Sequence, residues 1–333
     1  MSEMSQAGDA KCRVCGSNPT VAAGSVEFYA GFCWPICDCP ECGCRFTRHE
    51  DVVYEQLHAD AGSSYTRYRE LAAACKKHFD QRDLDGLRST LSETSKYKFV
   101  MDELAALDRS AKILEIGCAR GFLTSFFVLG GWNVTGVDVS AEAVNAARAA
   151  FGENFVLAGS PFVAANGPYD AIYHVGTIGC VGDPVGMTKQ LLGMLKPGGK
   201  LLFNAPNRAA CWSQSQLWFE SAPPPDVVTL FPQGFWRKQF SGAARVEEEI
   251  EMRNTDQSFA IGLRKLFGRG WRNPVPLAMH ESHKPFQPAP RFGDGAWQMF
   301  ERAACKLGRV TRLSRMAPAH PAEYGLLVKM TAS

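Results

Sequence analysis

The stretch KILEIGCARGFL, from Lys112 to Leu123, constrains the fold more than any other segment. Its run Ile113–Ile116 is short, apolar and β-branched, and a turn signal follows at once, which is typical of a buried parallel strand. A loop with two glycines, 117–121, comes directly after it, and FLTSFFVLGG then has the composition of a helix that ends at two glycines. This order predicts an α/β fold with a ligand at the loop.

The segments that follow repeat the pattern. WNVTGVDVS predicts a second strand that ends in Asp138, and AEAVNAARAAF predicts a helix with Ser140 as its N-cap. YDAIYH predicts the fourth strand, which ends in His174. The β-α-β-α order indicates a doubly wound sheet, in which ligands bind beyond the carboxyl ends of the strands.

The loop sequence narrows the choice of ligand. A dinucleotide fingerprint reads G-x-G-x-x-G, but from Gly117 this loop reads G-x-A-x-G with Phe122 after it, and no Lys-Ser/Thr pair follows as in a P-loop. S-adenosylmethionine, a cofactor without phosphate, fits instead, because it needs close backbone approach and a nearby carboxylate. Ala119 adds one methyl group, which we expect to be tolerable if its φ is negative.

Two carboxylates end the first two strands. Asp138 is placed to accept hydrogen bonds from both ribose hydroxyls, each worth roughly 1.5–3 kcal/mol. Glu115 either orients the loop or faces the cationic end of the cofactor. A solvated strand end is the alternative for both acids.

Cysteine usage predicts a separate amino-terminal module over residues 1–55. Seven of the 12 cysteines lie between Cys12 and Cys44. Such clustering in a chain that starts without an apolar leader indicates thiolate metal ligands rather than disulfides. The pairs Cys12-x2-Cys15 and Cys39-x2-Cys42 predict two knuckles that hold a structural Zn²⁺, which contributes roughly 10–16 kcal/mol in small modules. The free-thiol alternative fits Cys33, Cys37 and Cys44 better, although any of them can replace a ligand.

Composition limits the partners. The 333 residues suit one large domain and a small one, and 36 Lys+Arg against 34 Asp+Glu leave a formal charge of +2. This balance predicts no broad electrostatic footprint for nucleic acid or membrane, and no apolar run is long enough to span a bilayer. We expect a cytoplasmic protein with a small-molecule partner, while the oligomeric state stays open.

The segments ILEIGCARG, VTGVDVS, YDAIYHVGTIGCVGDP and LLGMLKPGGKLLFNAPN together resemble class I S-adenosylmethionine-dependent methyltransferases. More narrowly, the chain resembles the branch with a cysteine-rich zinc-binding module before the catalytic domain, which often modifies sugars and other small natural products. The matching segments run from about Cys12 to Asn207, and in LKPGGKLLFNAPN a Pro-Gly-Gly turn precedes the fifth strand. The resemblance implies a Rossmann-like domain over residues 56–333, with a substrate-lid insertion within about 205–322.

The resemblance also implies the cofactor-binding residues. Aromatic residues before the first strand close over the methionine carboxylate, the loop holds the cofactor, the acid after the second strand binds the ribose, and the segment after the third strand faces the adenine. A serine replaces the acid that relatives often use at the adenine. The implied positions are Tyr65, Tyr68, Glu115, Gly117, Cys118, Gly121, Asp138, Val139, Ser160 and Pro161.

The catalytic base is less clear. Relatives often carry Glu-His where this chain has Gly179-Cys180, so the usual histidine is missing. His174 offers a replacement at the end of the fourth strand, with simple packing as the alternative, and Tyr173 is expected on the opposite face.

Two threadings fit the carboxyl-terminal third, with EYGLLVKM as the final strand. The last helix-strand pair before it is either 234–252 or 294–315. Aromatic residues in this part line a pocket or pack in the core: Trp212, Trp218, Phe219, Phe235 and Trp236.

Three functions fit these observations. The first is a methyltransferase for a small molecule, with oxygen, nitrogen or carbon as the acceptor atom. The second is an RNA-base methyltransferase whose zinc ribbon docks on nucleic acid through Arg13, Arg45 and Arg48. The third is a cofactor-binding protein without catalysis.

Overall fold

The computed structural model describes residues 11–47 except 19, 30 and 31, residues 66–213, 217, 218, 224, 227–251 and 325–332, together with residue 266 and single positions between 299 and 311. Two β-sheets form within this part of the chain. No helix in these ranges is both long and apolar enough to cross a membrane.

The larger sheet lies in the domain that carries the glycine loop. Its strands are β4 (Lys112–Ile116), β5 (Asn133–Asp138), β6 (Phe155–Leu157), β7 (Tyr169–His174), β8 (Leu195–Pro206), β10 (Ala244–Glu251) and β11 (Gly325–Ala332). The helices whose bounds the described ranges contain are α1 (Thr66–Asp80), α2 (Leu84–Ser92), α3 (Ser95–Leu104), α4 (Phe122–Leu129), α5 (Ala141–Phe151), α6 (Pro161–Asn166), α7 (Pro184–Gly193), α8 (Arg208–Ser213) and α9 (Phe235–Gln239).

The strand order of this sheet is β10-β11-β8-β7-β4-β5-β6. The five neighbouring strands β8, β7, β4, β5 and β6 are parallel to one another. Strand β11 pairs antiparallel with both β8 and β10. A dinucleotide-binding sheet has the order 3-2-1-4-5-6. Here an antiparallel strand stands between the fifth and sixth positions, so the doubly wound prediction is confirmed with one added strand. The order reverses between β4 and β7, which is where doubly wound sheets bind ligands.

The sheet decides between the two carboxyl-terminal threadings. Among the strands that the structure describes, β10 follows α9 and pairs with the final strand β11, which agrees with the threading that has the pair at 234–252. Residues 252–324 therefore lie between β10 and β11. Apart from a few positions this insertion, and with it the predicted lid, lies outside the described residues.

The Pro-Gly-Gly segment differs from its prediction. It is part of β8 rather than a turn before it. Leu195 pairs with Tyr169 and Lys200 pairs with Ala171, so the extra residues form a bulge in the ladder. Gly198 has a φ of +76°, which lets the backbone bend there without a steric penalty.

The cysteine-rich module forms the smaller sheet, with β1 (Val21–Tyr29), β2 (Phe32–Asp38) and β3 (Arg45–Phe46). Its fourth strand, β9 (Thr229–Leu230), comes from the carboxyl-terminal part of the chain and pairs antiparallel with β3. The module and the large domain thus share one sheet.

The module also shares a hydrophobic core with the large domain. One continuous buried cluster contains Cys12, Val14 and Phe46 of the module together with Leu114 and Phe203 of the large sheet. Helices α1 to α5 contribute to a second cluster, which covers the opposite face of the sheet. The module is therefore an integral part of the domain rather than a tethered appendage.

Candidate functional site

The loop after β4 is attached to the neighbouring strand by its own backbone. The amides of Gly117 and Cys118 donate to the carbonyl oxygen of Val137, at 2.7 and 2.9 Å. The amide of Ala119 donates to Asp138 Oδ2 at 2.8 Å. These bonds fix the loop at the carboxyl end of β5, next to the point where the strand order reverses.

Two glycines of the loop are required by close contacts. A Cβ atom on Gly117 would lie 2.3 Å from Thr177 Oγ1, and one on Gly121 would lie 2.5 Å from the ring of Phe155. Both glycines have φ above +70°. Gly121 therefore packs closely where the loop turns into α4, as the last glycine of a dinucleotide loop does.

Ala119 departs from its prediction. Its φ is +47° rather than negative, so the added methyl group stands on a left-handed backbone. Such a conformation costs roughly 1–2 kcal/mol for a residue with a Cβ. The hydrogen bond from its amide to Asp138 holds it there. Strain of this kind concentrates at functional sites.

Glu115 is buried rather than a solvated strand end, with 4% of its surface exposed. Its Oε2 accepts a hydrogen bond from Tyr173 Oη at 3.0 Å and another from the hydroxyl of Thr124 in α4. Burial raises the pKa of Glu115 to about 7, against the opposing effect of these two donors. Through these contacts Glu115 links β4, β7 and α4 beneath the loop. Tyr173 therefore lies on the face of the sheet that α4 covers.

Asp138 and Val139 stand at the open end of β5. Asp138 Oδ1 accepts from the amide of Ser140 at 2.9 Å, and Ser140 caps α5 as predicted, with its Oγ accepting from Ala143. Val139 is 62% exposed, which is unusual for a valine directly after a buried strand. An accessible acid and an exposed apolar side chain thus lie side by side.

The remaining predicted cofactor positions are distributed around this edge. Ser160 is half-buried and Pro161 is exposed, at the start of α6 after β6. Cys118 is buried, so only its backbone is available to a ligand. Tyr65 and the side chain of Tyr68 lie outside the described residues. The roles of all these residues stay predictions.

His174 has a packed environment. It is fully buried, and its ring stacks on Phe203 with the ring centroids 4.7 Å apart. Within the described ranges neither ring nitrogen has a hydrogen-bond partner. Burial lowers the pKa of His174 to about 3, because the imidazolium would be desolvated. The geometry favours packing over proton transfer, and the catalytic role of His174 stays an untested prediction.

The predicted aromatic pocket is not formed by the side chains that the structure describes. Phe235 and Trp236 are buried and pack edge to face at 4.9 Å, in the core shared with the module. Trp218 is buried in a separate cluster. Phe219 and the side chain of Trp212 lie outside the described residues.

The loop after β7, residues 175–183, stands beside the loop after β4, residues 117–121. Asn204 Oδ1 in β8 accepts from the amide of Gly176 at 2.7 Å, and Thr177 Oγ1 donates to the carbonyl of Ile116 at 3.2 Å. Sequence reasoning missed Thr124, Thr177 and Asn204. An asparagine inside the apolar run LLFNAP was a visible signal, whereas the contacts of the threonines depend on tertiary packing.

The cysteine knuckles form a second candidate site. The Sγ atoms of Cys12, Cys15, Cys39 and Cys42 lie within 4.8 Å of one another. Two of these pairs, Cys12–Cys42 and Cys15–Cys39, are separated by 3.7 and 3.6 Å. Zn–S bonds of about 2.3 Å in a tetrahedron give edges of roughly 3.8 Å, so this donor set fits Zn²⁺. The four cysteines that the structure brings together are the ones that the spacing predicts as ligands, and their role as ligands stays a prediction.

Comparison with known proteins agrees with this geometry. A family model described as a methyltransferase domain matches residues 81–243, which span β4 to β8 and the loops at their carboxyl ends. This part of the chain is therefore a methyltransferase domain of the S-adenosylmethionine-dependent type.

Two relatives of this methyltransferase are ubiquinone biosynthesis O-methyltransferases. The one from Chromobacterium violaceum is 27% identical over 172 residues, which are 49% of this chain and 69% of that protein. The one from Cronobacter sakazakii is 33% identical over 131 residues, 37% of this chain and 52% of that protein. The chain thus spans from about half to two thirds of the length of these relatives.

Solved structures give weaker likenesses. A complex of the Haloferax volcanii Trm112 methyltransferase activator with a methyltransferase matches with a TM-score of 0.43 and 14% identity, over 86% of this chain and 98% of that chain. The N-methyltransferase NodS from Bradyrhizobium japonicum matches with a TM-score of 0.36 and 18% identity, over 48% and 78%. The strand order, rather than these likenesses, defines the fold of this methyltransferase.

The left-handed backbone at Ala119 predicts the effect of a substitution there. Ala119→Gly should stabilise the protein by about 1 kcal/mol, because glycine adopts this φ without a steric penalty. Ala149→Gly, at an exposed position inside α5, should destabilise it by about 1 kcal/mol. Urea unfolding of both variants measures the two effects, and a loss of stability in both would contradict the strain at Ala119.

The raised pKa of Glu115 predicts a pH-dependent stability. Between an unfolded pKa of 4.5 and a folded pKa of about 7, the folded state keeps a proton that the unfolded state has lost. The free energy of unfolding of the wild type should therefore fall relative to Glu115→Gln as pH rises from 5 to 8, by up to about 3 kcal/mol.

Denaturant unfolding of both proteins at pH 5 and pH 8 measures this change. The effect of pH on the cysteine site is common to both proteins, and the effect of the amide is the same at both pH values, so neither contributes to the change. A stability difference that is the same at both pH values would show that Glu115 titrates normally.

Proposed function

We propose that this methyltransferase transfers a methyl group from S-adenosylmethionine to a hydroxyl group of a small-molecule acceptor. The observation that carries the proposal is the attachment of the 117–121 loop to β5, with Asp138 and Val139 at the open strand end. Each oxygen of Asp138 accepts one backbone amide and keeps a lone pair for a ribose hydroxyl. Val139 offers an apolar surface to the adenine.

The charges around the loop suit a cation. Asp138 bonds to the loop at Ala119, the partly ionised Glu115 lies beneath the loop, and no lysine follows the glycines as it does in a phosphate-binding loop. The positive sulfonium already activates the methyl group, so the reaction is an in-line attack that needs mainly positioning. Aligning the acceptor with the methyl group is then the main task of the protein.

The acceptor atom is inferred from two observations. The curated relatives are named as O-methyltransferases. In addition, His174 has a pKa of about 3, which makes it a weak base at neutral pH. An acceptor that ionises easily, such as a phenolic hydroxyl with a pKa near 10, requires the least help from a base.

Two of the three basic residues that the RNA alternative requires for phosphate contacts are bonded within the chain. The guanidinium group of Arg13 donates to the carbonyls of Thr47, Val181 and Gly182. Arg45 forms a bidentate ion pair with Asp38 at 2.8 Å. Both are directed at this chain itself rather than outward, and Arg48 lies outside the described residues. This arrangement favours a small-molecule acceptor.

We also propose that Cys12, Cys15, Cys39 and Cys42 hold a structural Zn²⁺. Four protein sulfur atoms complete the tetrahedron and leave no position for a substrate. The metal would fix the knuckles that carry Arg13 and β3.

Cofactor binding tests the site. Asp138→Asn should weaken the affinity for S-adenosylhomocysteine by at least about tenfold, because the amide accepts hydrogen bonds less strongly and offers only one acceptor oxygen. Glu142→Gln removes a charge on α5 that pairs with Arg120, and it should leave the affinity within about twofold. Isothermal titration calorimetry measures both, and unchanged affinity in Asp138→Asn would remove this residue from the ribose.

A screen for the release of S-adenosylhomocysteine then tests the acceptor. With S-adenosylmethionine present, phenols should give turnover, whereas primary amines, sugars and single-stranded RNA should not. Turnover only with amines or RNA would contradict the hydroxyl acceptor. Binding without turnover on any class would instead identify a protein that binds the cofactor without catalysis.

Metal analysis tests the second site. The purified protein should contain one Zn²⁺ per chain, and Cys39→Ser should lose it together with much of the stability of the module. Cys33→Ser provides a matched control, because Cys33 lies exposed on β2 outside the cluster. Equal zinc content in the two variants would contradict the ligand set.

A further inference from the structure

The loop after β7 is connected to the cysteine-rich module through one arginine. Arg13 stands between Cys12 and Val14 in the first knuckle, where the amide of Val14 lies 3.4 Å from Cys12 Sγ. Its Nη2 donates to the carbonyls of Val181 and Gly182 at 2.9 and 3.0 Å. One terminal nitrogen of the guanidinium group thus donates to two consecutive carbonyls of the loop.

The other end of the guanidinium group is fixed within the module. Arg13 Nη1 donates to the carbonyl of Thr47, directly after β3, at 3.0 Å. The amide of Thr47 in turn donates to the carbonyl of Val228 at 3.0 Å. The planar guanidinium group therefore joins the first knuckle, the end of β3 and the loop after β7.

A second connection runs through the backbone. The amides of Val228 and Thr229 both donate to the carbonyl of Gly179, at 2.8 and 3.1 Å. Thr229 belongs to β9, which pairs with β3 of the module. The loop is consequently held at Gly179 by the same small sheet that Arg13 reaches from the other side.

An apolar contact completes the connection. Cys180 is buried in one cluster with Ile36 of β2, Trp218 and Leu230. The side chain that replaces the histidine of relatives thus packs in a cluster with the module. These buried, apolar surroundings suit a small uncharged side chain.

The cofactor loop is attached elsewhere. The amides of Gly117, Cys118 and Ala119 bond to Val137 and Asp138 of β5. The module therefore holds the loop after β7, while β5 holds the loop after β4.

We propose that Arg13 is a positioning residue that fixes the loop after β7, so that the zinc module sets the acceptor side of the site while the cofactor side is held mainly by β5. This inference rests on the proposed function, and it takes the loop after β7 as the acceptor side because this loop stands beside the 117–121 loop and carries Gly179-Cys180, where relatives often have Glu-His. The two terminal nitrogens of the guanidinium group divide three carbonyls between them, whereas an ammonium group has a single nitrogen for all three.

Amide hydrogen exchange tests the proposal without an acceptor. In Arg13→Met, exchange at the amides of Cys180, Val228 and Thr229 should rise at least about tenfold, because their hydrogen bonds involve the released loop. Exchange at Gly117 and Cys118 should stay within about twofold, as should the affinity for S-adenosylhomocysteine. Arg13→Lys should give an intermediate rise. Lys11→Met, which removes an exposed charge of the same module, should behave as wild type.

The zinc content of each variant is measured in parallel, because retained zinc separates the loss of Arg13 from the loss of the knuckle. If Arg13→Met loses its zinc, the test of the proposal is the amide exchange of the zinc-loaded Arg13→Lys variant. Unchanged exchange at the loop amides in a zinc-loaded variant would overturn the proposal, as would an equal rise at both loops.

Kinetics supply a readout that general destabilisation would not give. With the phenol that turns over fastest in the screen, Arg13→Met should raise the KM for the phenol at least about fivefold and leave the KM for S-adenosylmethionine within about twofold. Equal changes in both constants would overturn the proposal. If the wild type neither binds S-adenosylhomocysteine nor shows turnover, the proposed function fails, while the exchange experiment still decides the role of Arg13.

Discussion

The site depends on the attachment of the 117–121 loop to the end of β5. Three consecutive amides bond to Val137 and Asp138, and the last of these bonds holds Ala119 in a left-handed conformation. Asp138 thereby shapes the loop, and under the proposed function its remaining lone pairs accept from the ribose hydroxyls. A site built this way is organised before the cofactor arrives, which reduces the entropy lost on binding.

The polar core beneath the loop supports this arrangement. Glu115 accepts hydrogen bonds from Thr124 and Tyr173, so β4, β7 and α4 meet at one buried carboxyl group. A pKa of about 7 means that this group is only partly ionised at neutral pH. A bound sulfonium cation would favour its ionised form, which links cofactor binding to the charge of the core.

The sequence predicts the parts of the molecule that depend on local pattern. The strand-loop-helix units, the N-cap at Ser140 and the Cys-x2-Cys pairs are all confirmed, because each depends on neighbouring residues. It does not predict features that depend on distant contacts. The φ of Ala119 is set by Asp138, and the docking of Arg13 on Val181 joins residues far apart in the chain. His174 follows the same rule, since the sequence places it at a strand end but not against Phe203.

The central claim is that the cofactor lies across the 117–121 loop with its ribose on Asp138. A crystal structure with S-adenosylhomocysteine bound tests this claim most directly. The account predicts that both ribose hydroxyls donate to Asp138, that the adenine covers Val139, and that the loop backbone stays as it is in the free protein. Density for the ligand at another strand end, or a ribose without contact to Asp138, would contradict it.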